Sequence, residues 1–201
     1  MQYIISYLGL IPYIYSLIDK YIFLKEENKK NFVVTFDDDM IYDKWLITDL
    51  LNHHYDSKAK VVDLYGWQVN WEKGKQYPEK RSTWKKELIY KNKNKSFNTY
   101  TNTAYTLFSP RSLPNSVFDK MNVINLCINS TNKIVGYDDS WVKWNLVSNG
   151  IKVGYARRWG ILTSQVEYKK VQQNSLGAIS IGIDSSDNAV KRIIKFLKIN
   201  S

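Results

Sequence analysis

The sequence contains a single cysteine, Cys127, in 201 residues. One thiol excludes an internal disulfide framework, and without a His- or Cys-rich setting it is expected to be a small buried apolar residue. The chain therefore fits a reducing compartment, and we expect a cytoplasmic protein. His53 and His54 are its two histidines. Adjacent helical side chains point about 100° apart, so we expect surface residues near a helix end rather than two ligands of one metal ion.

The sequence also lacks an uncharged run of about 20 residues, the length that crosses a bilayer. Residues 1–18 carry no charge, but Gly9 and Pro12 interrupt them and Asp19 and Lys20 end them. No basic stretch precedes them, so no secretory signal is predicted. We expect a helix packed in a folded core, with attachment to a membrane surface as the alternative.

Acidic residues are in the minority, with Asp+Glu 19 against Lys+Arg 29, a net charge of +10. That excess favours nucleotide phosphates, polyanions or an anionic membrane surface as partners. Against this background two acidic clusters are conspicuous, DDD at 37–39 and DD at 138–139.

Length and pattern predict one α/β domain over residues 1–201. Residues 31–36 (NFVVTF) and 59–66 (AKVVDLYG) have the β-branched composition of strands, and Gly66 closes the second. Asp43 can cap the helix between them. The strand–helix–strand unit 31–66 favours parallel pairing of its two strands. The apolar face of its helix is predicted to hold Trp45, Leu46, Leu50 and Leu51.

Residues 67–103 read as a basic, Trp-rich excursion with weak periodicity, in which we expect a short hairpin. Trp67, Trp71 and Trp84 have two interpretations of equal weight. They form a platform for an acceptor sugar or nucleic-acid bases, or they pack the excursion on the core.

Residues 104–160 are predicted to complete the core and to carry the acceptor and base region. Strands are expected over 104–110 and 151–156, and Asn115 or Ser116 can cap a short helix between them.

A longer helix follows the second acidic cluster. It carries Trp141, Trp144 and Val147 on one side and stops at Gly150. Residues 161–201 are expected to be a helical tail that ends in an amphipathic basic helix.

The triplet Asp37, Asp38 and Asp39 directly follows the first of these strands. Because side chains alternate along a strand, Asp37 and Asp39 should project together and Asp38 away from them. Two carboxylates at the carboxyl end of a strand suit Mg²⁺ or Mn²⁺, which takes its other ligands from water and substrate phosphates. The alternative is a solvated turn with an Asp cap.

The second cluster, Asp138 and Asp139 in YDDSW, precedes a strongly apolar helix. One of the two acids can be the N-cap of that helix. The other is then free to act as a general base toward a hydroxyl group.

Four segments resemble, in order and spacing, a family of bacterial and viral glycosyltransferases, the family-2-like enzymes of the GT-A fold. They are VVTFDDDMIYDKWLITDLL, NTAYTLFSPRSLPNSVFD, GYDDSWVKWNLVSNGIKV, and QQNSLGAI with SSDNAVKRI. The family motifs match at Asp37–Asp39, Leu107–Leu113, Asp138–Trp141, Gln173–Leu176 and Asp187–Asn188. The resemblance covers about residues 30–195.

This resemblance implies a GT-A-like, Rossmann-like mixed sheet with flanking helices. It implies transfer of a sugar from a nucleotide-sugar donor to a hydroxyl group of a glycan or another acceptor, with inversion. Asp139, or else Asp138, would deprotonate that hydroxyl.

The resemblance also implies a donor site with bound Mn²⁺ or Mg²⁺. Asp39 would hold the metal against the donor diphosphate, and Asp37 would contact the metal's waters or the ribose. Asp38 and Arg111 would complete the donor contacts.

Two departures from the family pattern affect the donor site. Only about 30 residues precede Asp37, so we expect an N-terminally truncated sheet without its first strand. A second chain is one source of the missing half of the nucleotide pocket. Phe108, Ser109 and Arg111 replace glycines or prolines around a turn that retains only Pro110.

Two other functions compete with this interpretation. A haloacid-dehalogenase-like phosphohydrolase would use the strand-then-DxD segment as a nucleophile, but Ile41 stands where a Thr or Val is expected. A non-catalytic basic module would bind nucleic acid or anionic lipid through residues 73–95 and the closing helix. Nucleic acid is the less favoured partner, because the acidic clusters have no role in binding it.

Overall fold

The computed structural model of the chain describes a mixed α/β fold over most of the predicted core. The described residues are 4–5, 25–36, 40–64, 66–71, 73–74, 77–80, 83–87, 99–101, 105–119, 121–122, 126, 138–156, 164–165 and 185–199. The strands are β1 (Ile4–Ile5), β2 (Val33–Val34), β3 (Met40–Ile41), β4 (Val61–Asp63), β5 (Gly66–Gln68), β6 (Lys85–Glu87), β7 (Thr99–Thr101), β8 (Leu107–Phe108), β9 (Val153–Tyr155) and β10 (Ser164–Gln165). The named helices are α1 (Leu46–Ser57), α2 (Asp138–Ser148) and α3 (Ser185–Phe196), with a 3₁₀ helix at Asn115–Phe118.

The central sheet has five strands in the order β1-β2-β8-β4-β9. β1 runs parallel to β2 and β9 parallel to β4, whereas β8 runs antiparallel to both β2 and β4. The predicted parallel pairing of β2 with β4 is therefore wrong. The two strands share a direction, but β8 lies between them, because the helix between β2 and β4 leaves room for a strand from later in the chain. A mixed sheet with flanking helices is confirmed.

Alternation along the strands separates two apolar faces. Val33, Phe108, Val61 and Val153 pack together with Val142 and Leu146 of α2. Val34, Leu107, Val62 and Ala156 pack on the other side with Leu46, Leu50 and Leu51 of α1. The sheet therefore lies between α1 and α2, as the period of two along its strands requires.

Helix α1 follows the prediction except at its first turn. Leu46, Leu50 and Leu51 are buried, but Trp45 is 48% exposed and precedes the helix. Asp43 Oδ1 accepts a hydrogen bond from the Trp45 N–H at 2.7 Å. It therefore supports the chain before the helix rather than capping the helix from the N-cap position.

The two histidines of α1 are half-buried, so their predicted surface position is wrong. His54 Nδ1 lies 2.6 Å from the carbonyl oxygen of Ala59, and its ring packs edge-on against Phe32. A Cβ added to Gly154 would lie 2.9 Å from His53 Nε2, so His53 fills the space that this glycine leaves on β9. Contacts with β9 and Phe32 determine the burial of His53 and His54. The local sequence pattern contains no information about these contacts.

Helix α2 is buried on all sides between the sheet and α3. Every residue from Ser140 to Leu146 is buried, and Trp141 and Trp144, which were predicted to share one side of the helix, pack with α3. Helix α2 is described from Asp138, and the backbone of both acids is already helical, so neither Asp138 nor Asp139 is its N-cap. Its end is confirmed at Gly150, which has φ +64 and closes a Schellman motif.

The remaining regions depart further from expectation. Residues 67–103 contribute strands to a three-stranded antiparallel sheet, β6-β5-β7, rather than one hairpin, and Gly66 begins β5 instead of closing β4. The 3₁₀ helix has Pro114 at its N-cap position, so neither Asn115 nor Ser116 caps it. The tail contains the short strand β10 before α3.

The N-terminal segment was predicted to be helical, yet Ile4–Ile5 forms the strand β1. Because β1 pairs in parallel with β2, the sheet has a strand before the acidic triplet, and the expectation that it lacks one is wrong. In the part of the chain that the structure describes, the helices are all too short or too polar to cross a membrane.

Candidate functional site at the carboxyl edge of the sheet

A row of buried polar residues lies across the sheet at the carboxyl ends of β2 and β4. Thr35 follows Val33 by two residues, and Asp63 follows Val61 by two residues. Thr106 precedes Phe108 by two residues. Val33, Val61 and Phe108 all pack on α2. The side chains of Thr35, Asp63 and Thr106 therefore belong to the α2 face of the sheet. All three are at least nine-tenths buried, and Asp63 is 0% exposed.

Backbone and side-chain hydrogen bonds fix this row. Thr35 donates to the carbonyl oxygen of Thr106 from its N–H at 3.1 Å and from its hydroxyl at 3.4 Å. Asp63 Oδ1 accepts from the N–H of Leu64 at 2.7 Å, and the Asp63 carbonyl accepts from Ala156 at 2.8 Å. The Asp63 carboxyl group is thus anchored to its own strand end, beside Tyr155 of β9.

Lys143 of α2 faces this row and is 0% exposed. Burial lowers the pKa of Lys143 from its usual 10.5 to about 7, against the charge of Asp63, which raises it. Both side chains, Lys143 from α2 and Asp63 from β4, are 0% exposed. An ammonium group and a carboxylate are thereby enclosed between the sheet and α2, where unpaired charges would be strongly unfavourable.

The first turn of α2 lies toward this same edge. α2 connects to β9 through only residues 149–152 and then β9 runs parallel to β4, so the C-terminal end of α2 is next to the amino ends of the strands. The N-terminal end, with Asp138 and Asp139, is directed toward the carboxyl ends. The structure describes the backbone of these two acids but not their side chains.

Helical periodicity separates the two acids. Asp139 stands three residues before Val142, four before Lys143 and seven before Leu146, which is the spacing of one helix face. Val142 and Leu146 pack on the sheet, so position 139 belongs to the sheet-facing side of α2. Asp138 is rotated from it by about 100°.

The acidic triplet Asp37, Asp38 and Asp39 lies outside the described residues, but its flanks are described. The rings of Phe36 and Tyr42 are 4.9 Å apart, so the chain on the two sides of the triplet is held together. The chain enters the triplet from the carboxyl end of β2, the edge that carries Thr35 and Asp63. Among the described residues no three His, Cys, Asp or Glu side chains are grouped to hold a metal.

The structure does not bring Arg111 to this edge. β8 runs antiparallel to β2 and β4, so its C-terminal end lies at their amino ends. The Arg111 N–H donates to the carbonyl of Asn28, which precedes β2, and Arg111 is exposed with φ 60. Arg111 is therefore not part of the nucleotide-sugar site proposed below.

The tryptophans of the excursion favour the packing interpretation. Trp84 is buried and donates from Nε1 to the carbonyl of Glu79 at 3.1 Å, and Trp71 packs edge-on against Trp144 at 5.8 Å. The side chain of Trp67 lies outside the described residues.

Sequence reasoning missed Asp63 and Lys143. The available signals were an aspartate directly after the apolar pair Val61–Val62 and a lysine between Val142 and Trp144 in a helix without a polar face. Each is a charge within a buried pattern, which is the feature that most often marks a special site.

The chain was compared with protein-family models, with curated proteins and with solved structures, and none of these matches it.

Proposed function

We propose that the chain is a metal-dependent glycosyltransferase that transfers a sugar from a nucleotide-sugar donor to an acceptor hydroxyl group. The observation that carries the proposal is that the carboxyl end of β2 and the N-terminal end of α2 are directed toward one edge of the sheet. β2 leads into the triplet 37–39 at the edge toward which α2 begins with Asp138 and Asp139. Ligands of α/β folds bind at the carboxyl ends of strands. The resemblance of four sequence segments to family-2-like glycosyltransferases supports the same assignment.

The triplet suits a divalent metal. Val33 faces α2, so continued alternation assigns Asp37 and Asp39 to the α2 side and Asp38 to the other. Two carboxylates are appropriate ligands for Mn²⁺ or Mg²⁺, and the bound ion would neutralise charge on the leaving diphosphate.

The acceptor hydroxyl needs a base. We assign this role to Asp139, because its helix position faces the sheet and Asp138 is rotated away from it. A helix N-terminus favours the ionised carboxylate, which is the form that accepts a proton. Asp139 therefore removes the proton from the acceptor oxygen as that oxygen attacks the sugar, with inversion at the anomeric carbon.

Several partners are part of this proposal. The donor is a nucleotide-sugar and the acceptor a glycan or another hydroxyl compound. A second chain completing the nucleotide pocket and contact with a membrane surface are additional hypotheses. Trp84 is buried and Trp71 packs against the same core cluster, which favours partners other than nucleic acid.

The first experiment measures thermal stabilisation by uridine, guanosine, cytidine and thymidine diphosphates with and without Mn²⁺. We expect at least one diphosphate to raise Tm only when Mn²⁺ is present. Transfer from the corresponding nucleotide-sugar should then fall by roughly 10²–10⁴-fold in Asp139→Asn, with donor affinity retained. The matched control, Asp138→Asn, should lose much less turnover.

Three outcomes would contradict the proposal. If no diphosphate stabilises the protein, the proposed donor site is excluded. If wild type and Asp139→Asn have equal turnover, Asp139 is not the base. Phosphate release from p-nitrophenyl phosphate, with a covalent aspartyl-phosphate, would instead identify a phosphohydrolase.

A further inference from the structure

Helix α3 has one side in the core and one side in solvent. The buried residues of α3 pack in one cluster with Trp141 and Trp144 of α2, and they are Ala189, Val190, Ile193 and Ile194. The exposed residues are Asn188, Arg192, Lys195 and Phe196. At 100° per residue these four positions lie within about 100° of one another around the helix, so they form one surface, the α3 outer face.

Positive charge dominates this end of the chain. Between residues 188 and 199 the sequence has no acid and four cations, Lys191, Arg192, Lys195 and Lys198. Lys195 and Lys198 are exposed, and Lys198 directly extends the α3 outer face beyond the end of the helix. Asp187 belongs to the first turn of α3, at the opposite end. The α3 outer face therefore carries a positive potential that attracts anions.

The chain between residues 117 and 126 lies beside the α3 outer face. Arg192 donates to the carbonyl oxygen of Leu126 from Nε at 3.1 Å and from Nη2 at 3.0 Å. At the other end of the segment, Trp141 Nε1 donates to the carbonyl oxygen of Val117 at 2.9 Å. The ring of Trp141 is also 6.3 Å from that of Phe196. The segment is thus held at both ends by groups that belong to α3 or contact it.

Two large apolar side chains are exposed at this place. Phe196 is 46% exposed, and Met121, between the two anchored ends of the segment, is 62% exposed. The other large apolar side chains that are exposed in the described part of the chain, Trp45 and Tyr55, precede or belong to α1 on the opposite side of the sheet. Single exposed apolar residues need no explanation, but here two of them accompany a row of cations.

We propose that the α3 outer face, together with Met121, is a docking surface for an anionic phospholipid membrane. The cations contact headgroup phosphates, while Phe196 and Met121 enter the boundary between headgroups and acyl chains, where apolar side chains gain most next to basic ones. The apolar stripe of α3 stays on α2, so the helix docks without leaving the fold. This inference does not depend on sugar transfer.

Two other occupants explain the surface less well. A nucleic acid would pair with the cations, but it has no apolar phase for the methionine. In a symmetric dimer the same surface would meet itself across a two-fold axis. The cations of the two copies would then face one another, and such like-charge contacts are unfavourable.

The acid in the neighbouring segment does not change this choice. Both carboxylate oxygens of Asp119 accept hydrogen bonds from Asn122, at 3.1 Å from its N–H and 2.8 Å from Nδ2. Lys120 follows Asp119 directly, so the segment 117–126 has no net charge and the α3 cations determine the sign of the surface.

The test measures binding of the whole chain to sedimented vesicles. One set is phosphatidylcholine, and the other is an equal mixture of phosphatidylcholine and phosphatidylglycerol. We expect binding to the mixed vesicles that weakens as salt is added, and little binding to phosphatidylcholine alone. Lys195→Gln/Lys198→Asn should weaken binding about 25-fold, which is roughly fivefold for each cation near an anionic surface. Asparagine accepts the left-handed conformation of position 198, where φ is 52.

A second pair of lysines provides the matched control. Lys58 ends α1 in the same left-handed conformation, with φ 58, and both Lys58 and Lys60 are exposed. Lys58→Asn/Lys60→Gln therefore removes the same charge from another part of the surface and should bind nearly as the wild type does. Equal losses in the two double variants would show that net charge alone attracts the vesicles, and would overturn the inference.

The apolar contribution is tested separately. Met121→Gln should weaken vesicle binding about fivefold without changing the folded structure, because the side chain is mostly in solvent. Trp45→Gln, at an apolar residue of similar exposure before α1, is its control and should have no effect.

Three results would overturn the inference. The first is an absence of binding to the mixed vesicles. The second is tighter binding of a DNA duplex than of vesicles, lost in Lys195→Gln/Lys198→Asn but unaffected by Met121→Gln, which would identify a nucleic-acid surface. The third is a dimer in sedimentation velocity that Met121→Gln dissociates and that does not bind vesicles, which would identify a contact between copies of the chain.

Discussion

Gly150 and Lys198 occupy the same position in two helix ends, and only one of them is a glycine. After α2, Ile151 N–H donates to Leu146 at 2.9 Å and Gly150 N–H to Val147 at 3.0 Å. After α3, Ile199 and Lys198 make the equivalent bonds at 3.2 and 3.3 Å. Both pairs are Schellman motifs that require a left-handed residue, with φ 64 at Gly150 and φ 52 at Lys198.

This equivalence predicts opposite effects of two substitutions. Lys198→Gly should stabilise the fold by up to about 1 kcal/mol, because it relieves the Cβ clash of the left-handed conformation. Gly150→Ala should cost about 1 kcal/mol for the same reason in reverse. Urea unfolding of both variants checks this. Lys195→Gly, within α3 but at ordinary helical geometry, is the matched control and should destabilise. Destabilisation by Lys198→Gly would contradict the argument.

At the scale of elements, alternation in β2 makes a prediction for the triplet that follows it. Val33 and Val34 point to opposite faces. We expect the same period to continue through the triplet, with Asp37 and Asp39 on one side. Calorimetric titration of Mn²⁺ should therefore show a large loss of affinity in Asp37→Asn and Asp39→Asn. Asp38→Asn is the matched control and should retain most of the affinity. Equal losses at all three positions would show that the chain leaves the strand pattern before Asp37.

The elements themselves were largely predictable where a local pattern was strong. The pairs Val33–Val34 and Val61–Val62 predicted two strands. Trp141, Trp144 and Val147 predicted one side of α2, and in the structure this side packs on α3. The position of β8 between β2 and β4 was not predictable, because strand order depends on contacts between distant segments rather than on local pattern. Ile4–Ile5 was missed for the same reason: it is a strand only because β2 offers it a partner.

At the scale of the whole molecule, the buried charged residues of the sheet and of α2 were not predictable. The order of strand, triplet and helix predicts that both acidic clusters lie at one edge of the sheet, and this stays a prediction. Asp63 and Lys143 were missed because a lysine within a helix is usually solvated, and local sequence cannot show that α3 covers the outer side of α2. Arg111 was misplaced because its position depends on the direction of β8, which only the assembled sheet determines.

The same buried lysine should make the stability of the whole fold depend on pH. The pKa of Lys143 is lowered by burial to about 7, against the charge of Asp63, while the unfolded chain keeps the usual 10.5. Between these values the unfolded state binds more protons than the native state, so stability rises with pH. Below about pH 7 both states are protonated and the full cost of the buried charge is present.

We therefore expect the free energy of unfolding of the wild type to increase, relative to Asp63→Asn/Lys143→Met, as pH rises from 7 toward 10. Across this range the difference in the free energy of unfolding should change by about 5 kcal/mol. This is the free-energy equivalent of lowering the pKa of Lys143 from 10.5 to about 7. Urea unfolding of both proteins at intervals across this range measures it, and the comparison cancels the titration of exposed lysines and tyrosines. Lys191→Met, which removes a lysine of α3, is the matched control and should follow the wild type. Parallel curves for the wild type and the double variant would mean that Lys143 is protonated in the fold throughout this range. Its ammonium group would then be far better compensated than burial against a single carboxylate allows.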